Sequence, residues 1–169
     1  YLIRRRLEKR IQKQQISDFY VCSLSFDSVI YKGLFLAEQL SIFYPDLANK
    51  NFISSYALFH QRYSTNTFPT WGLAQPFRML AHNGEINTIS GNTNWMRNHQ
   101  TRITSEIFGE DSEQVKPIIE KNVSDSAALD AAFELYVRAG RSVPLVKTLL
   151  MPEAWSKRSE LIPIEHRNM

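Results

Sequence analysis

The sequence predicts an α+β fold. Residues 19–26 alternate in the two-residue period that is typical of β-strands, and residues 29–35 and 53–64 are predicted as two further strands. The clearest helical periodicity comes later, after residue 90. Strands that precede helices, rather than alternating with them, favour an α+β layout over a parallel α/β layout.

Length and composition are typical of one domain of a soluble globular protein. The chain has 169 residues, of which 43% are hydrophobic and 22% charged, and this is enough to form a real core. There is no apolar run long enough for a transmembrane helix and no secretory signal. We interpret residues 1–169 as one partial domain of a longer protein, without an internal boundary, and expect no membrane partner.

The first fifteen residues are strongly basic. They carry six basic residues and one acidic residue, which leaves the rest of the chain slightly acidic although the net charge is +3. Ile3, Leu7 and Ile11 recur every four residues, which predicts a helix with one apolar stripe. A nucleic-acid contact is the alternative, but aromatic stacking residues are scarce there. We therefore expect a solvated helix and no nucleic-acid partner.

Four further segments are predicted to be helical. They span residues 36–44, 93–103, 124–140 and 143–151. The third is the clearest, with Gly140 as its C-terminal stop. Ser142 is predicted to cap the last one, which Pro152 ends. A further short strand is predicted at 78–82.

Three polar clusters could carry chemistry: HQRYSTNT (60–67), HNGEINT (82–88) and SDS (124–126). In the first, Arg62 follows an apolar segment. Its guanidinium could bind a carboxylate through two parallel hydrogen bonds. The alternative is a structural ion pair at the end of a strand.

The second cluster contains Asn83-Gly84. Asn-Gly is the strongest short-range signal for a tight hairpin turn. The functional alternative is an oxyanion hole, in which the Asn83 side-chain amide and the Gly84 backbone N–H both donate to a developing negative oxygen. The sequence leaves both interpretations open.

The third cluster contains Asp125, at the start of the clearest helix. It could cap the helix or bind a ligand ammonium group. Together, Arg62, Asn83, Gly84 and Asp125 would bind an amino acid with a reactive side-chain carbonyl, and glutamine fits. Each residue also has the structural alternative given above.

Metal binding and nucleophilic catalysis find little support in the residues. His60 and His82 have no third ligand at a suitable spacing, so we expect no metal site. Cys22 is the only cysteine. It shares a predicted strand face with Leu24 and Phe26, so we expect a buried thiol.

Long segments of the chain resemble the class II glutamine amidotransferase domain of glutamate synthase large subunits. The matching segments are HQRYSTNTFPTW, AQPFRMLAHNGEINTISGNTNWM, SDSAALD, AGRS…MPEAW and FYVCSLSFDSVIYKGL. The similarity extends from about residue 19 to residue 157. The resemblance implies an N-terminal-nucleophile hydrolase fold, which is a four-layer αββα sandwich.

The resemblance also implies roles for single residues. Arg62, in the family's H-x-R-[YFW]-[SA]-T motif, binds the glutamine carboxylate, and its neighbours Tyr63, Thr65 and Asn66 belong to the same pocket. Asn83 and Gly84 form the oxyanion hole. Asp125, in the S-D motif, binds the glutamine amino group.

The family nucleophile is a cysteine at the first residue of the mature chain, and neither Tyr1 nor Cys22 matches it. We therefore expect the nucleophile to lie upstream, and these 169 residues to be inactive alone. The implied reaction is attack on the glutamine amide, loss of ammonia and hydrolysis of a glutamyl thioester. The ammonia would then serve reductive amination of 2-oxoglutarate to L-glutamate.

The other groups that the resemblance implies belong to other domains of the same chain. These are FMN and a 3Fe-4S cluster, with NADPH, through a small subunit, or ferredoxin as the electron donor. The segment AQPFRMLAHNGEINTISGN favours the NADPH type. The expected location is the cytoplasm, or a plastid for a ferredoxin-type enzyme. Other class II amidotransferases, a nucleic-acid-binding module and a non-catalytic domain remain alternatives.

Overall fold

The computed structural model describes residues 1–61, 70–152 and 163–167. In this part of the chain the regular structure is helical. Its α-helices are α1 (Leu2–Lys13), α2 (Leu40–Phe43), α3 (Ser90–His99), α4 (Asp125–Arg138), α5 (Val143–Leu150) and α6 (Ile164–Arg167). Short 3₁₀-helices occupy Ala37–Gln39, Pro45–Ala48, Trp71–Leu73 and Gly109–Val115.

Most helix predictions are confirmed, with shifted ends. α1, α4 and α5 lie within the segments predicted for them. The segment 36–44 is a 3₁₀-helix followed by the single turn of α2. α3 begins at Ser90 instead of residue 93 and includes Gly91 in its first turn. Glycine is disfavoured in helix interiors, by about 1 kcal/mol relative to alanine, whereas Gly91 is the second residue of α3.

The predicted strands are not formed. Within the described residues there is no strand at 19–26, 29–35 or 78–82, or in the described part of 53–64. Alternating apolar residues show which face of a strand would be buried, but a strand forms only when a neighbour accepts its hydrogen bonds. The α+β layering is therefore not confirmed by this structure.

The hydrophobic core lies against α4. Leu135 is 1% exposed and Phe133 is 3% exposed, and burying one such side chain contributes about 1.5–3 kcal/mol. The buried cluster around this helix consists of Phe108, Val115, Ile118, Ile119, Ala128 and Leu135. The core thus fixes α4, whose first turn holds the SDS cluster.

The ends of α4 and α5 test two predictions. Gly140 has a φ of +94° just after the last residues of α4. The N–H of Gly140 donates to the Val137 carbonyl and that of Arg141 to the Tyr136 carbonyl, so the predicted glycine stop is confirmed as a Schellman motif. Ser142 precedes α5, but its side chain makes no capping hydrogen bond. The prediction is therefore confirmed for the N-cap position of Ser142, but not for a capping hydrogen bond from its side chain.

α1 packs through its charged side chains, not through the predicted apolar stripe. Ile3 is 73% exposed, whereas Arg4 and Arg5 are buried. Arg4 forms ion pairs with Glu8, at 2.6 Å, and with Glu134 of α4. The prediction of a solvated charged face is therefore wrong for Arg4 and Arg5. Hydrophobic periodicity missed this because internal carboxylates compensate the burial of these guanidiniums.

Apolar side chains remain exposed across the first third of the chain. Leu24 is 51% exposed, and Phe26 is fully exposed. Residues 16–59 therefore contribute little to the core.

No helix in the described ranges is long and apolar enough to cross a bilayer.

Candidate functional site

Asn83 and Gly84 lie in an exposed bend that precedes α3. Two-residue hairpin turns of the primed types need a positive φ at one or both central residues. Neither Asn83 nor Gly84 has a positive φ. The hairpin interpretation of Asn83-Gly84 is therefore wrong for this structure, and the oxyanion interpretation stays a prediction.

The first turn of α4 assigns the capping role to Ser124 rather than Asp125. Ser124 occupies the N-cap position, and its Oγ accepts a hydrogen bond from the Ala127 N–H at 3.1 Å. Asp125 is the first helical residue and is half-buried. Its Oδ1 accepts from the N–H of Ser126 at 2.6 Å and from its Oγ at 3.1 Å. Asp125 thus also binds one first-turn N–H at the positive end of α4, and its binding of a ligand ammonium stays a prediction.

A hydrogen bond joins the second polar cluster to the third. His82 Nε2 lies 2.7 Å from Ser126 Oγ, and the same hydroxyl donates to Asp125 Oδ1. A hydroxyl has one proton, so His82 Nε2 must be the donor in its own bond to Ser126. The backbone N–H of His82 donates to Gln75 Oε1 at 2.7 Å. These contacts hold the start of HNGEIN against the N-terminus of α4.

A second hydrogen bond joins the first polar cluster to the second. His60 Nε2 lies 3.1 Å from Asn83 Oδ1. An amide oxygen only accepts, so His60 is the donor for the carboxamide as the structure orients it. Both N–H groups of the Asn83 amide then lie on the opposite side from His60. The contact is compatible with an oxyanion donor at Asn83, which stays a prediction.

The remaining predicted site residues lie outside the described residues. They are Arg62, Tyr63, Thr65 and Asn66. Their roles stay predictions. His60, which contacts Asn83, precedes Arg62 by two positions in the sequence.

Cys22 is separate from these clusters and is not fully buried. It is half-buried, and it lines a cavity of about 470 Å³ together with Lys32 and Tyr44. Its expected strand neighbours, Leu24 and Phe26, are exposed, so the prediction of a buried thiol is wrong. Burial lowers the pKa of the Lys32 ammonium in this cavity to about 8. None of the residues 82–84 or 124–126 lines it.

Sequence reasoning missed the residues that connect the clusters. His60 and His82 were considered only as metal ligands, and the described residues hold no group of three or more side chains that could bind a metal. Ser126 was not considered individually. The available signal was the order of the residues, because His82 directly precedes Asn83 and His60 lies two positions before Arg62.

Comparison with known proteins identifies the family. Residues 1–168 match the family described as "Glutamine amidotransferases class-II". The chain is 58% identical over 167 residues to the "Glutamate synthase [NADPH] large chain" of Azospirillum brasilense, covering 99% of this chain and 11% of that protein. It is 47% identical over 161 residues to the protein of the same name from Bacillus subtilis (strain 168), covering 95% and 10%.

A ferredoxin-type relative is also similar. The "Ferredoxin-dependent glutamate synthase, chloroplastic" of Spinacia oleracea is 44% identical over 163 residues, which cover 96% of this chain and 10% of that protein. The chain thus spans about a tenth of the length of the curated relatives that it matches. Because the family match covers nearly every residue, this chain belongs to the class II glutamine amidotransferases.

Proposed function

We propose that the chain is the glutaminase part of a glutamate synthase and releases ammonia from L-glutamine. The observation that carries the proposal is the pair of hydrogen bonds that joins the three polar clusters, His60–Asn83 and His82–Ser126. These clusters are far apart in sequence and were proposed to bind different groups of one ligand. Their contact in the fold supports a common site.

In this site each polar group of glutamine has a partner. The Arg62 guanidinium binds the α-carboxylate, with Tyr63, Thr65 and Asn66 lining the same pocket. Asp125 binds the α-ammonium at the start of α4. The Asn83 amide and the Gly84 N–H donate to the side-chain carbonyl oxygen when it becomes negative. The α-carboxylate, the α-ammonium and the reacting carbonyl of glutamine are thereby held in one orientation, which is the main requirement for a rapid attack.

The attacking thiolate comes from a cysteine outside these 169 residues in this proposal. It adds to the amide carbon of glutamine, ammonia leaves, and water then hydrolyses the glutamyl thioester to glutamate. Asn83 and Gly84 stabilise the negative oxygen in both steps. Arg62 and Asp125 hold the glutamyl group in place throughout.

We expect the purified 169-residue chain to release no ammonia from glutamine above background, and Cys22→Ser to change nothing. Cys22 lines a cavity that residues 82–84 do not line, so we expect its thiol to lie apart from the proposed oxyanion donors. Ammonia release is measured over hours with a coupled enzymatic assay. Turnover that Cys22→Ser abolishes would show that Cys22 is the nucleophile.

In the complete enzyme the released ammonia would react with 2-oxoglutarate, and the product would be reduced to L-glutamate. FMN and a 3Fe-4S cluster belong to other domains of the same chain in this proposal, since the single cysteine here cannot ligate a cluster. We favour NADPH, delivered through a small subunit, because the two NADPH-type relatives above are more similar than the ferredoxin-type one. A cytoplasmic location accompanies the NADPH type, and a plastid the ferredoxin type.

The test uses the full-length protein with its small subunit, glutamine and 2-oxoglutarate. We expect oxidation of NADPH with formation of glutamate, and none when glutamine is omitted. Glutamate formation with reduced ferredoxin alone would contradict the choice of donor. No glutamate formation with either donor would contradict the proposed function.

We also propose that residues 1–169 are one partial domain of the αββα N-terminal-nucleophile fold. Family membership supports this architecture. The segments predicted as strands, 19–26, 29–35 and 53–64, are the candidates for its strands. Their exposed apolar side chains, such as Phe26, have the pattern expected of strands that pair and pack in a larger sheet.

We expect Asp125→Asn in the full-length enzyme to raise the KM for glutamine by about 10-fold or more, since hydrogen bonds to charged groups contribute about 1.5–3 kcal/mol. The fold should be unaffected because Ser124 caps α4. Steady-state glutaminase kinetics and thermal melting measure both effects. A suitable control is Ser124→Ala, which removes the capping hydrogen bond and should lower the melting temperature. An unchanged KM in Asp125→Asn would exclude ammonium binding by Asp125.

We expect Gly84→Ala to fold normally but to lower glutaminase kcat/KM by about 10- to 100-fold, because a 1 Å misplacement can cost about 100-fold. An added Cβ would lie 3.8 Å from His82 Nδ1, an ordinary contact. The methyl group would obstruct only a ligand that approaches the Gly84 backbone. Gly91→Ala, at a position with open space around it, is the matched control. Equal kinetics in the two variants would remove Gly84 from the site.

A further inference from the structure

A buried carboxylate on α4 binds the backbone that leads into HNGEIN. Asp130 is 2% exposed. Its Oδ1 accepts hydrogen bonds from the N–H of Met79 at 2.8 Å and of Leu80 at 2.9 Å, and its Oδ2 accepts from the N–H of Arg78 at 3.3 Å. One side chain thus binds three successive backbone donors. These donors are only three to five positions from Asn83.

The same backbone segment is held to α4 by a second contact, one helical turn away from Asp130. His82 Nε2 contacts Ser126 Oγ at 2.7 Å in the first turn of the helix. Asp130 lies four residues further along, which is about one turn and 6 Å along the axis. Two attachments one turn apart fix both the position and the direction of the backbone from residue 78 to residue 82. Asn83 follows directly.

We propose that Asp130 is a positioning residue for glutamine hydrolysis, holding Asn83 and Gly84 at a fixed distance from Asp125. This inference rests on the proposed function, in which Asn83 and Asp125 bind different parts of one glutamine. The oxyanion donors stand on a loop and the ammonium-binding group on a helix. Preorganised donors stabilise a developing charge only when they are already aimed at it. Asp130 joins the loop to the helix and thereby sets the direction in which the Asn83 and Gly84 donors point.

The neighbouring Glu134 provides a control that distinguishes a positioning role of Asp130 from a purely stabilising one. It is also buried on α4, one turn after Asp130. Its partner is Arg4 of α1, not the backbone before Asn83. Both carboxylates are therefore structural, but only Asp130 is bonded to the loop that carries the oxyanion donors. Glu134→Gln is the matched control for a loss of stability without displacement of that loop.

The experiment compares Asp130→Ala, Asp130→Asn and Glu134→Gln in the full-length enzyme by glutaminase kinetics, glutamate synthesis from free ammonia, and thermal melting. We expect Asp130→Ala to lower glutaminase kcat by about 10- to 100-fold with a much smaller change in KM. Synthesis from ammonia should be unchanged. Asp130→Asn keeps an oxygen for Met79 and Leu80, so it should recover most of the lost kcat. Glu134→Gln should lower the melting temperature and leave kcat within about two-fold.

Two results would overturn the inference. One is an equal kcat in Asp130→Ala and Glu134→Gln; the other is a parallel loss of glutaminase activity and of synthesis from ammonia in Asp130→Ala. If Asp130→Ala does not fold, Asp130→Asn decides. It places an amide N–H against the Arg78 N–H, so its kcat should fall by about 3-fold or more, and a kcat equal to that of Glu134→Gln contradicts positioning.

Wild type and the variant Asn83→Asp in the same series distinguish a failure of the proposed function from a failure of the positioning role of Asp130. Absence of glutaminase activity in the wild-type enzyme contradicts the proposed function itself, and full activity in Asn83→Asp contradicts the oxyanion role of Asn83. An inactive Asn83→Asp with normal Asp130 variants contradicts only the role of Asp130.

Discussion

Full-length enzyme with Asn83→Asp is expected to fold and bind glutamine, but to lose at least about 10²–10³-fold in glutaminase kcat, the typical effect of removing one oxyanion donor. The change replaces an N–H donor by a negative oxygen at the point where negative charge develops. The carboxylate can still accept the hydrogen bond from His60. Asn83 is exposed in a bend without positive φ, so the substitution should not strain the backbone.

Asn87→Asp is the matched control for Asn83→Asp. Asn87 is another exposed asparagine in the same segment, and the substitution adds the same charge four positions away. We expect Asn87→Asp to keep kcat within a few-fold of wild type. Glutaminase kinetics and thermal melting are measured for both variants. Equal kcat values and normal melting in the pair would mean that Asn83 takes no part in catalysis.

Arg62→Lys is expected to raise the KM for glutamine by about 10- to 100-fold, since a charge-assisted hydrogen bond contributes about 1.5–3 kcal/mol. Lysine keeps the charge but loses the planar pair of donors that matches a carboxylate. Synthesis of glutamate from free ammonia should be unaffected, because it bypasses glutamine binding. Both rates are measured at saturating 2-oxoglutarate.

The control for Arg62→Lys is Arg97→Lys on α3, where the side chain is exposed. We expect it to change neither KM nor the rate with ammonia. A parallel loss of both activities in Arg62→Lys would indicate a structural ion pair instead. The result distinguishes the two interpretations that the sequence leaves open for this residue.

Helices with strong local signals could be predicted from the sequence. The apolar periodicity of residues 124–140 and the glycine at position 140 identify α4 and its Schellman end, because both signals depend on neighbouring residues only. The strands could not be established in the same way. Their pattern gives a side-chain period, but pairing depends on residues distant in sequence.

The packing of α1 was predicted wrongly for a related reason. Ile3 and Leu7 mark an apolar stripe, yet the helix packs through Arg4 and Arg5. Sequence alone does not show that Glu134, 130 residues away, lies opposite Arg4. Burial of a charged side chain becomes acceptable only when such a partner is present.

The residue types of the candidate site could be predicted from the sequence, but the hydrogen bonds that join its parts could not. Asn83 and Asp125 were identified from residue type and family resemblance. His60, Ser126 and Asp130 were missed because their importance comes from contacts across 23 to 52 residues of chain. Asp130 carried one usable signal, a carboxylate three positions before the buried Phe133 on the same helix face.

The most direct test of the account follows the amide nitrogen of glutamine. Full-length wild type and Asn83→Asp are supplied with [amide-¹⁵N]glutamine, 2-oxoglutarate and NADPH, and the ¹⁵N in the amino group of newly formed glutamate is measured by mass spectrometry. A parallel reaction supplies ¹⁵N-ammonium without glutamine. We predict transfer from glutamine in wild type, almost none in Asn83→Asp, and equal incorporation from ammonium in both. Transfer from glutamine at the wild-type rate in Asn83→Asp, or a loss of both incorporations together, would contradict a glutamine site built on Asn83.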